Sequence, residues 1–354
     1  MPMNQLEKIH ENRTIGNLAR NFLRSPHQSN GLHETDAELI ALEGDESRLL
    51  AITIDTIADE IAEGLYRDPF TMGWVTVMAS FSDLAAVGAE PIGIVTAVSL
   101  ERSRNASFRR RIAEGMEQAC RRVGSFILGG DLNFTHSISL TGCAIGQVSR
   151  NRKIARVGCH AGDVVFLSGR AGSGNALGLA RKTRLPDEVY PEKKFRPVAR
   201  TREALLVRQY ASCCMDTSDG LFITIDQLIR LNGRGFSIRT DWEDILEKDA
   251  CRLCEGMNVP FWFMAAGIHG EFELLFTVPE SKTQAFLREA ARMDFHPISL
   301  GIITQAPHFE LSLESGKKTA IDMTHLRNLW GKTSGDIGQI LEEHFSSGKS
   351  WGLH

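Results

Sequence analysis

Phe81-Ser82-Asp83-Leu84-Ala85-Ala86-Val87-Gly88-Ala89-Glu90-Pro91 is the stretch on which the fold turns. It closes a long apolar segment, 71–87, whose pattern predicts a helix that stops at Gly88. The β-branched run 91–100 that follows predicts a strand. Asp83 is out of place in such a helix. A carboxylate among apolar neighbours is costly unless it is paired or meets a cation, and a capping role does not explain an acid in mid-pattern.

Working outward, other acids stand at predicted strand ends and turns. Asp36 precedes a predicted strand at 37–42, and Asp55 ends the strand at 49–54. Asp131 follows Gly129-Gly130 after a short strand at 126–128. Asp216 and Asp219 bracket Thr217-Ser218 ahead of Gly220. Each alone reads equally as a cap or turn residue. Together, several carboxylates converging from separate segments are what a multi-metal nucleotide site needs. Magnesium takes oxygen ligands, one or two carboxylates plus substrate phosphates. The glycine pair at 129–130 would let backbone approach a phosphate closely.

The rest of the pattern predicts a helix over 5–24, a polar loop at 25–35, a helix at 106–122 and a strand at 137–148. A boundary is expected near 150–162. Beyond it come strands at 164–168, 271–278 and 298–303 and helices at 173–182, 222–232 and 281–292. The fold class is α/β (α+β), with an N-terminal domain at 1–150, a C-terminal domain at 151–335 and a polar tail at 336–354.

At 354 residues, 42% hydrophobic and 24% charged, the chain reads as globular. A net charge of -4 gives no global reason to expect nucleic acid. The basic run through Arg102, Arg104, Arg109, Arg110, Arg111, Arg121 and Arg122 reads as a solvated helix face. No apolar stretch approaches a bilayer span and the first residues lack a secretory pattern, so no membrane partner and a cytoplasmic location are expected. Seven scattered cysteines argue against a disulfide framework. Cys251 and Cys254 form one C-x-x-C, read as two thiols on a helix, since one pair cannot complete a zinc site. Gly348-Lys349-Ser350 lacks the glycine a P-loop needs at Glu343, and Gly172-Ser173-Gly174 lacks the third dinucleotide-loop glycine at Leu177. No G-x-S-x-G elbow occurs. His269, close to Glu271 and Glu273, reads as a packed residue on a strand.

Several of these segments, in the same order, resemble a known superfamily. It contains thiamine-monophosphate kinase, aminoimidazole ribonucleotide synthetase, selenophosphate synthetase and a hydrogenase maturation protein. The stretch from Phe81 to Pro91 is close to the kinase's S-D-L-A-A-M-G-A-x-P. Met215-Asp216-Thr217-Ser218-Asp219-Gly220-Leu221 is close to its M-D-I-S-D-G-L. Gly129-Gly130-Asp131, the run 162–169 and the run 273–279 also match, and the likeness covers about residues 35–305. It implies an N-terminal α/β domain that pairs with a second copy to build a dimeric β-barrel, and a C-terminal α+β domain. It implies that Asp36, Asp55, Asp83, Asp131, Asp216 and Asp219, with Thr53, hold magnesium on ATP. Gly130, Asp131, Arg156 and Ser218 would contact the nucleotide, and Asp83 and Asp219 would serve catalysis. The implied reaction is ATP- and magnesium-dependent phosphoryl transfer to a small phosphorylated acceptor, thiamine phosphate first, in a homodimer.

Departures fall on the acceptor side. The kinase's G-D-D-A-A is here Glu34-Thr35-Asp36-Ala37-Glu38. A histidine that meets the substrate phosphate in the family is Ala62, with Glu63-Gly64-Leu65-Tyr66 as a possible shifted equivalent. The glutamate that faces the thiamine moiety is Gly270. Asp68-Pro69-Phe70-Thr71-Met72-Gly73 resembles a selenophosphate synthetase segment, but no cysteine precedes Cys120. The chain ends Trp351-Gly352-Leu353-His354, without the terminal cysteine of the maturation protein. The alternatives are a superfamily enzyme using ATP on a different small acceptor, or a non-catalytic nucleotide-binding protein.

Overall fold

Pro69 at the first helical position, with Asp68 accepting from the Thr71 N–H at 3.2 Å, starts the helix Pro69–Ala86. In the computed structural model, which describes residues 3–313, 316–329, 337–351 and 353, every residue of this helix except Pro69 and Asp83 is buried. A helix apolar all round needs cover on every side, and three neighbours supply it.

One neighbour is a five-stranded sheet of β1 (Glu38–Leu42), β2 (Asp45–Thr56), β3 (Glu90–Glu101), β4 (Ile127–Thr135) and β5 (Ser139–Ser149), in the order β1-β2-β5-β3-β4. Strict alternation on β5 buries Leu140, Gly142, Ala144, Gly146 and Val148. The Ser80 hydroxyl donates to the Gly142 carbonyl at 3.1 Å, so helix and strand lie close. The second neighbour is the crossover helix Ala106–Arg122, which joins the parallel strands β3 and β4. Gly73 and Gly115 meet across these helices. A Cβ on Gly73 would lie 2.1 Å from the Ile112 carbonyl oxygen, and one on Gly115 the same distance from that of Phe70.

The third neighbour is the rest of the chain. Its seven-stranded sheet holds β6 (Val164–Leu167), β7 (Cys213–Asp216), β8 (Gly235–Arg239), β9 (Leu274–Val278), β10 (Ile298–Thr304), β11 (Phe309–Ser312) and β12 (Lys318–Ile321). Their order is β12-β11-β8-β10-β6-β9-β7. Only β8 and β11 pair in parallel. β7 and β9 are buried along their whole length, and Ser82 reaches across to Asp216. The result is a mixed α/β architecture of two sheets with one buried helix between them.

Several expectations change. The helix expected over 5–24 is two pieces, Met3–Leu6 and His10–Ala19, because Ile9 turns extended and buries completely. Gly129-Gly130-Asp131 is not a turn. Pairing with β3 from Val95↔Gly129 to Glu101↔Thr135 keeps it extended within β4. Residues 271–273 are not strand, and Phe272 has a φ of 60°. The last residues are not simply polar, since Trp351 and Leu353 bury and Trp351 packs edge-on against Trp262. Strand β8, the β11–β12 hairpin and the helix Thr201–Tyr210 lie where no element was expected. The helix Lys248–Met257 carries Cys251 and Cys254, both buried. Among the described residues no helix is long and apolar enough to cross a membrane.

Candidate active site

Four segments converge at the end of the buried helix. Asp36 precedes β1, Thr53 and Asp55 lie on β2, Asp83 sits in the last turn of Pro69–Ala86, and Asp216 ends β7. A helix C-terminus disfavours negative charge, so Asp83 does not stabilise its own helix. One carboxylate oxygen from each of Asp36, Asp83 and Asp216 lies within 4.8 Å of the other two.

Each carboxylate is fixed by a different segment. Thr53 Oγ1 donates to Asp83 Oδ2 at 2.5 Å. Ser82 Oγ donates to Asp216 Oδ2 at 2.6 Å, and Ser218 Oγ to Asp216 Oδ1 at 3.0 Å. Arg156 Nη2 donates to Asp36 Oδ1 at 2.8 Å, and the Asp36 side chain has no exposed surface. The Oδ2 atoms of Asp36 and Asp55 are buried without a hydrogen-bond partner.

The electrostatics are those of a site short of positive charge. Burial first, then Asp55, Asp216 and Asp36, push the Asp83 carboxyl well above its usual range. Asp216 is pushed up to about 7 by burial and then by Asp36, while the hydroxyls of Ser82 and Ser218 draw it back. Burial also raises Asp55, and a hydrogen bond with Asp83 pulls the other way. Arg156 is itself pulled down by burial, yet Asp36 outweighs this and holds it above its ordinary value. One guanidinium faces four carboxylates. A divalent cation would favour the charged form of all four and give the two orphaned oxygens a partner. The donors are all hard oxygens, which suits magnesium.

Asp219 lies one turn further on, in the wall of a cavity of about 340 Å³ shared with Glu11, Asp59, Glu60, Glu63 and Arg327. Asp219 is exposed on that wall. Packing around it, then Glu11, raises its carboxyl above the ordinary value, against Arg327 and Arg156. The expected residues Gly130 and Asp131 stand apart. Asp131 is exposed on β4, accepts from Asn133 Nδ2 at 2.5 Å and lies outside the three-carboxylate group. The closeness demanded of Gly130 is to its neighbouring strand, where a Cβ would lie 2.1 Å from the Thr96 carbonyl oxygen. His269 is in a loop, its ring against Gly178, and burial pushes it down to about 3. A larger cavity, about 690 Å³, lies elsewhere, near Lys8, Arg230 and Trp351, and touches none of the carboxylates of the centre.

Ser82 had no assigned role in the sequence. Its signal was position, a hydroxyl beside an acid in an apolar helix. The Thr217–Glu271 contact behind the loop, 3.1 Å between Oγ1 and Oε1, had no local signal at all.

Residues 34–148 match the family model of the AIR synthase related protein, N-terminal domain. Thiamine-monophosphate kinase of Archaeoglobus fulgidus is 29% identical over 237 residues, covering 66% of this chain and 75% of that one. The enzyme of the same name from Synechococcus elongatus is 29% identical over 281 residues, 72% of this chain and 80% of that one. Among solved structures, AaThiL complexed with AMPPCP and TMP has a TM-score of 0.72 at 22% identity, covering 88% of this chain and 94% of that one. Hydrogenase maturation protein HypE in complex with ATP has a TM-score of 0.65 at 16% identity, covering 87% and 93%. At these identities the structural likeness speaks for the fold. The chain is thus similar to thiamine-monophosphate kinases, and its residues 34–148 carry the likeness to the AIR synthase related N-terminal domain.

Proposed function

We propose that the chain transfers the γ-phosphoryl group of ATP to thiamine phosphate in a magnesium-dependent reaction. The observation that carries this reading is the convergence of Asp36, Asp83 and Asp216 within 4.8 Å, with two buried carboxylate oxygens beside them unpartnered. The two relatives described above are thiamine-monophosphate kinases. Asp36, Asp55, Asp83 and Asp216 hold magnesium, with Thr53, Asp131 and Asp219 as further ligands. Gly130, Asp131, Arg156 and Ser218 contact the nucleotide, and Asp83 and Asp219 face the transfer step. Magnesium supplies charge neutralisation of the phosphates, and catalysis in this class is mostly positioning. The chain's own part is rigidity. Thr53 fixes Asp83, Ser82 and Ser218 fix Asp216, and Arg156 fixes Asp36.

The reading extends to the assembly. The two sheets support domains at 1–150 and 151–335 with a tail at 336–354. The first sheet is open, and β4 at its edge is exposed along its whole length. Phe126, Leu128, Leu132 and Phe134 on or beside it, with Ile54 on β2, present large apolar side chains to solvent. Such an edge invites pairing, and two copies joined there close a dimeric barrel. A cytoplasmic location belongs to the same reading.

A second acceptor is favoured by one observation. Gly270 cannot take the family's glutamate in this backbone, because a Cβ would lie 1.5 Å from the Thr217 carbonyl oxygen. With Ala62 in place of the phosphate-meeting histidine and an acidic cavity beside Asp219, a different cationic acceptor suits the pocket.

Calorimetry with a non-hydrolysable ATP analogue, with and without magnesium, tests the first half. A panel of phosphorylated acceptors, with product identified by mass, tests the second. Magnesium-dependent binding and thiamine diphosphate formation are expected. Absence of nucleotide binding sinks both readings, and turnover without thiamine diphosphate leaves only the second.

A further inference from the structure

The loop that carries Asp216 and Asp219 is gripped from behind by Gly270-Glu271-Phe272-Glu273, a segment in which the kinase reading gives Glu271 no role. The β7–β9 pairing ends at Asp216↔Leu274, and the two chains stay hydrogen-bonded beyond it. Thr217 N donates to the Glu273 carbonyl at 2.8 Å, and Gly270 N to the Ser218 carbonyl at 2.9 Å. Glu273 N donates to Thr217 Oγ1 at 3.1 Å. The Thr217 hydroxyl in turn donates to Glu271 Oε1 at 3.1 Å. Glu271 Oε2 accepts from Gly172 N at 2.7 Å, at the start of the helix Ser173–Lys182. Thr217 is completely buried, and Glu271 is 4% exposed.

Two further features show that this contact is specified. Phe272 holds a left-handed backbone, φ 60°, which a bulky residue keeps only where its surroundings impose it. Glu273 is itself anchored, accepting from Arg200 Nε at 2.7 Å and from the Ser168 hydroxyl. The segment is therefore tied to Ser168 just after β6, to the start of the 173–182 helix and to Arg200, while its side-chain-to-side-chain hydrogen bond to the metal loop joins Glu271 and Thr217. Thr217 stands between Asp216 and Asp219, so its placement sets the direction of both carboxylates.

We propose that Glu271 is a positioning residue for the metal-binding loop, acting through the Thr217 hydroxyl to hold Asp216 and Asp219 toward the nucleotide's magnesium. This rests on the reading of those two aspartates as magnesium ligands. Partners one step behind a metal ligand commonly matter about 10- to 100-fold in affinity or activity. A purely structural buried glutamate would instead lower the melting temperature and leave the magnesium dependence of the folded protein unchanged.

The test uses the full chain and reads the magnesium concentration that half-saturates binding of a non-hydrolysable ATP analogue, beside the melting temperature. Thr217→Val removes the hydroxyl and should raise that concentration about 10- to 100-fold, while Thr217→Ser keeps the hydroxyl and should stay near wild type. Glu271→Gln should weaken magnesium dependence in the same direction. Combined with Thr217→Val it should add little, because both act through one contact. A folded Thr217→Val with wild-type magnesium dependence overturns the proposal, as does additivity in the double variant. If Thr217→Val does not fold, Glu271→Gln decides alone: a raised magnesium requirement at near wild-type melting supports the proposal, and an unchanged one overturns it. Failure of the wild-type chain itself to bind nucleotide with magnesium overturns the kinase reading and this proposal together, whereas a failure confined to the variants overturns only the role of Glu271.

Discussion

The carboxylate centre and the cavity beside Asp219 are both acidic and are built in opposite ways. In the centre, Asp36, Asp83 and Asp216 are each fixed by a hydroxyl or guanidinium, and they crowd behind a helix whose other faces are sealed. In the cavity, Glu11, Asp59 and Glu63 are exposed. Water reaches the second set far more freely than the first. The difference teaches that a cation would relieve the crowded charge of the centre, while the cavity's acids can only bias what enters it.

Asp83→Asn should break the contrast most. It removes the most heavily crowded charge and leaves an oxygen to accept from Thr53. Magnesium-dependent nucleotide binding should vanish by calorimetry, and the metal-free protein should melt no lower than wild type, because like-charge repulsion is relieved. Wild type should be stabilised by magnesium and nucleotide together, by about 2.7 kcal/mol at a hundredfold excess over Kd, and the variant should lose that shift. Normal binding by a folded Asp83→Asn chain would show the centre to be misassigned.

Arg156→Ala sharpens the same contrast from the other side. It strips the centre of its one guanidinium and leaves Asp36 buried against other acids. Breaking a buried pair of this kind costs about 3–5 kcal/mol, read as a fall in the urea midpoint. Adding Asp36→Asn should restore part of the loss, since the uncompensated charge goes with it. A change in Arg156→Ala of under about 1 kcal/mol, typical of exposed pairs, would mean that the centre is better solvated than its burial implies.

The same physical difference explains what the sequence allowed. Asp83 was legible because burial makes an acid in an apolar helix conspicuous, and Asp216 and Asp219 because a short motif holds them. The order of helix and strand around them followed from local pattern. The backbone at Asp131 was misread because Gly129-Gly130 reads locally as a turn, while pairing with β3 holds the segment as strand. The hold of Glu271 on Thr217 spans 54 residues and depends on a left-handed Phe272, neither of which leaves a local trace. Tertiary contacts likewise decide the break at Ile9 and the burial of Trp351, at opposite ends of the chain.

Glu63→Gln should have the smallest effect, and its smallness is the point. Glu63 is exposed on the cavity rim, so stability should stay within about 0.5 kcal/mol of wild type and magnesium-dependent nucleotide binding should be untouched. If the acceptor is cationic, its KM should rise about two- to fivefold at low salt, the scale of a solvated charge contact. That rise should fade as ionic strength shortens the reach of exposed charges. Steady-state kinetics at two salt concentrations reads both. A much larger and salt-independent rise would place Glu63 among desolvated groups like those of the centre. An unchanged KM at low salt would remove the acidic cavity from acceptor selection and leave Asp219 as its single link to the reaction.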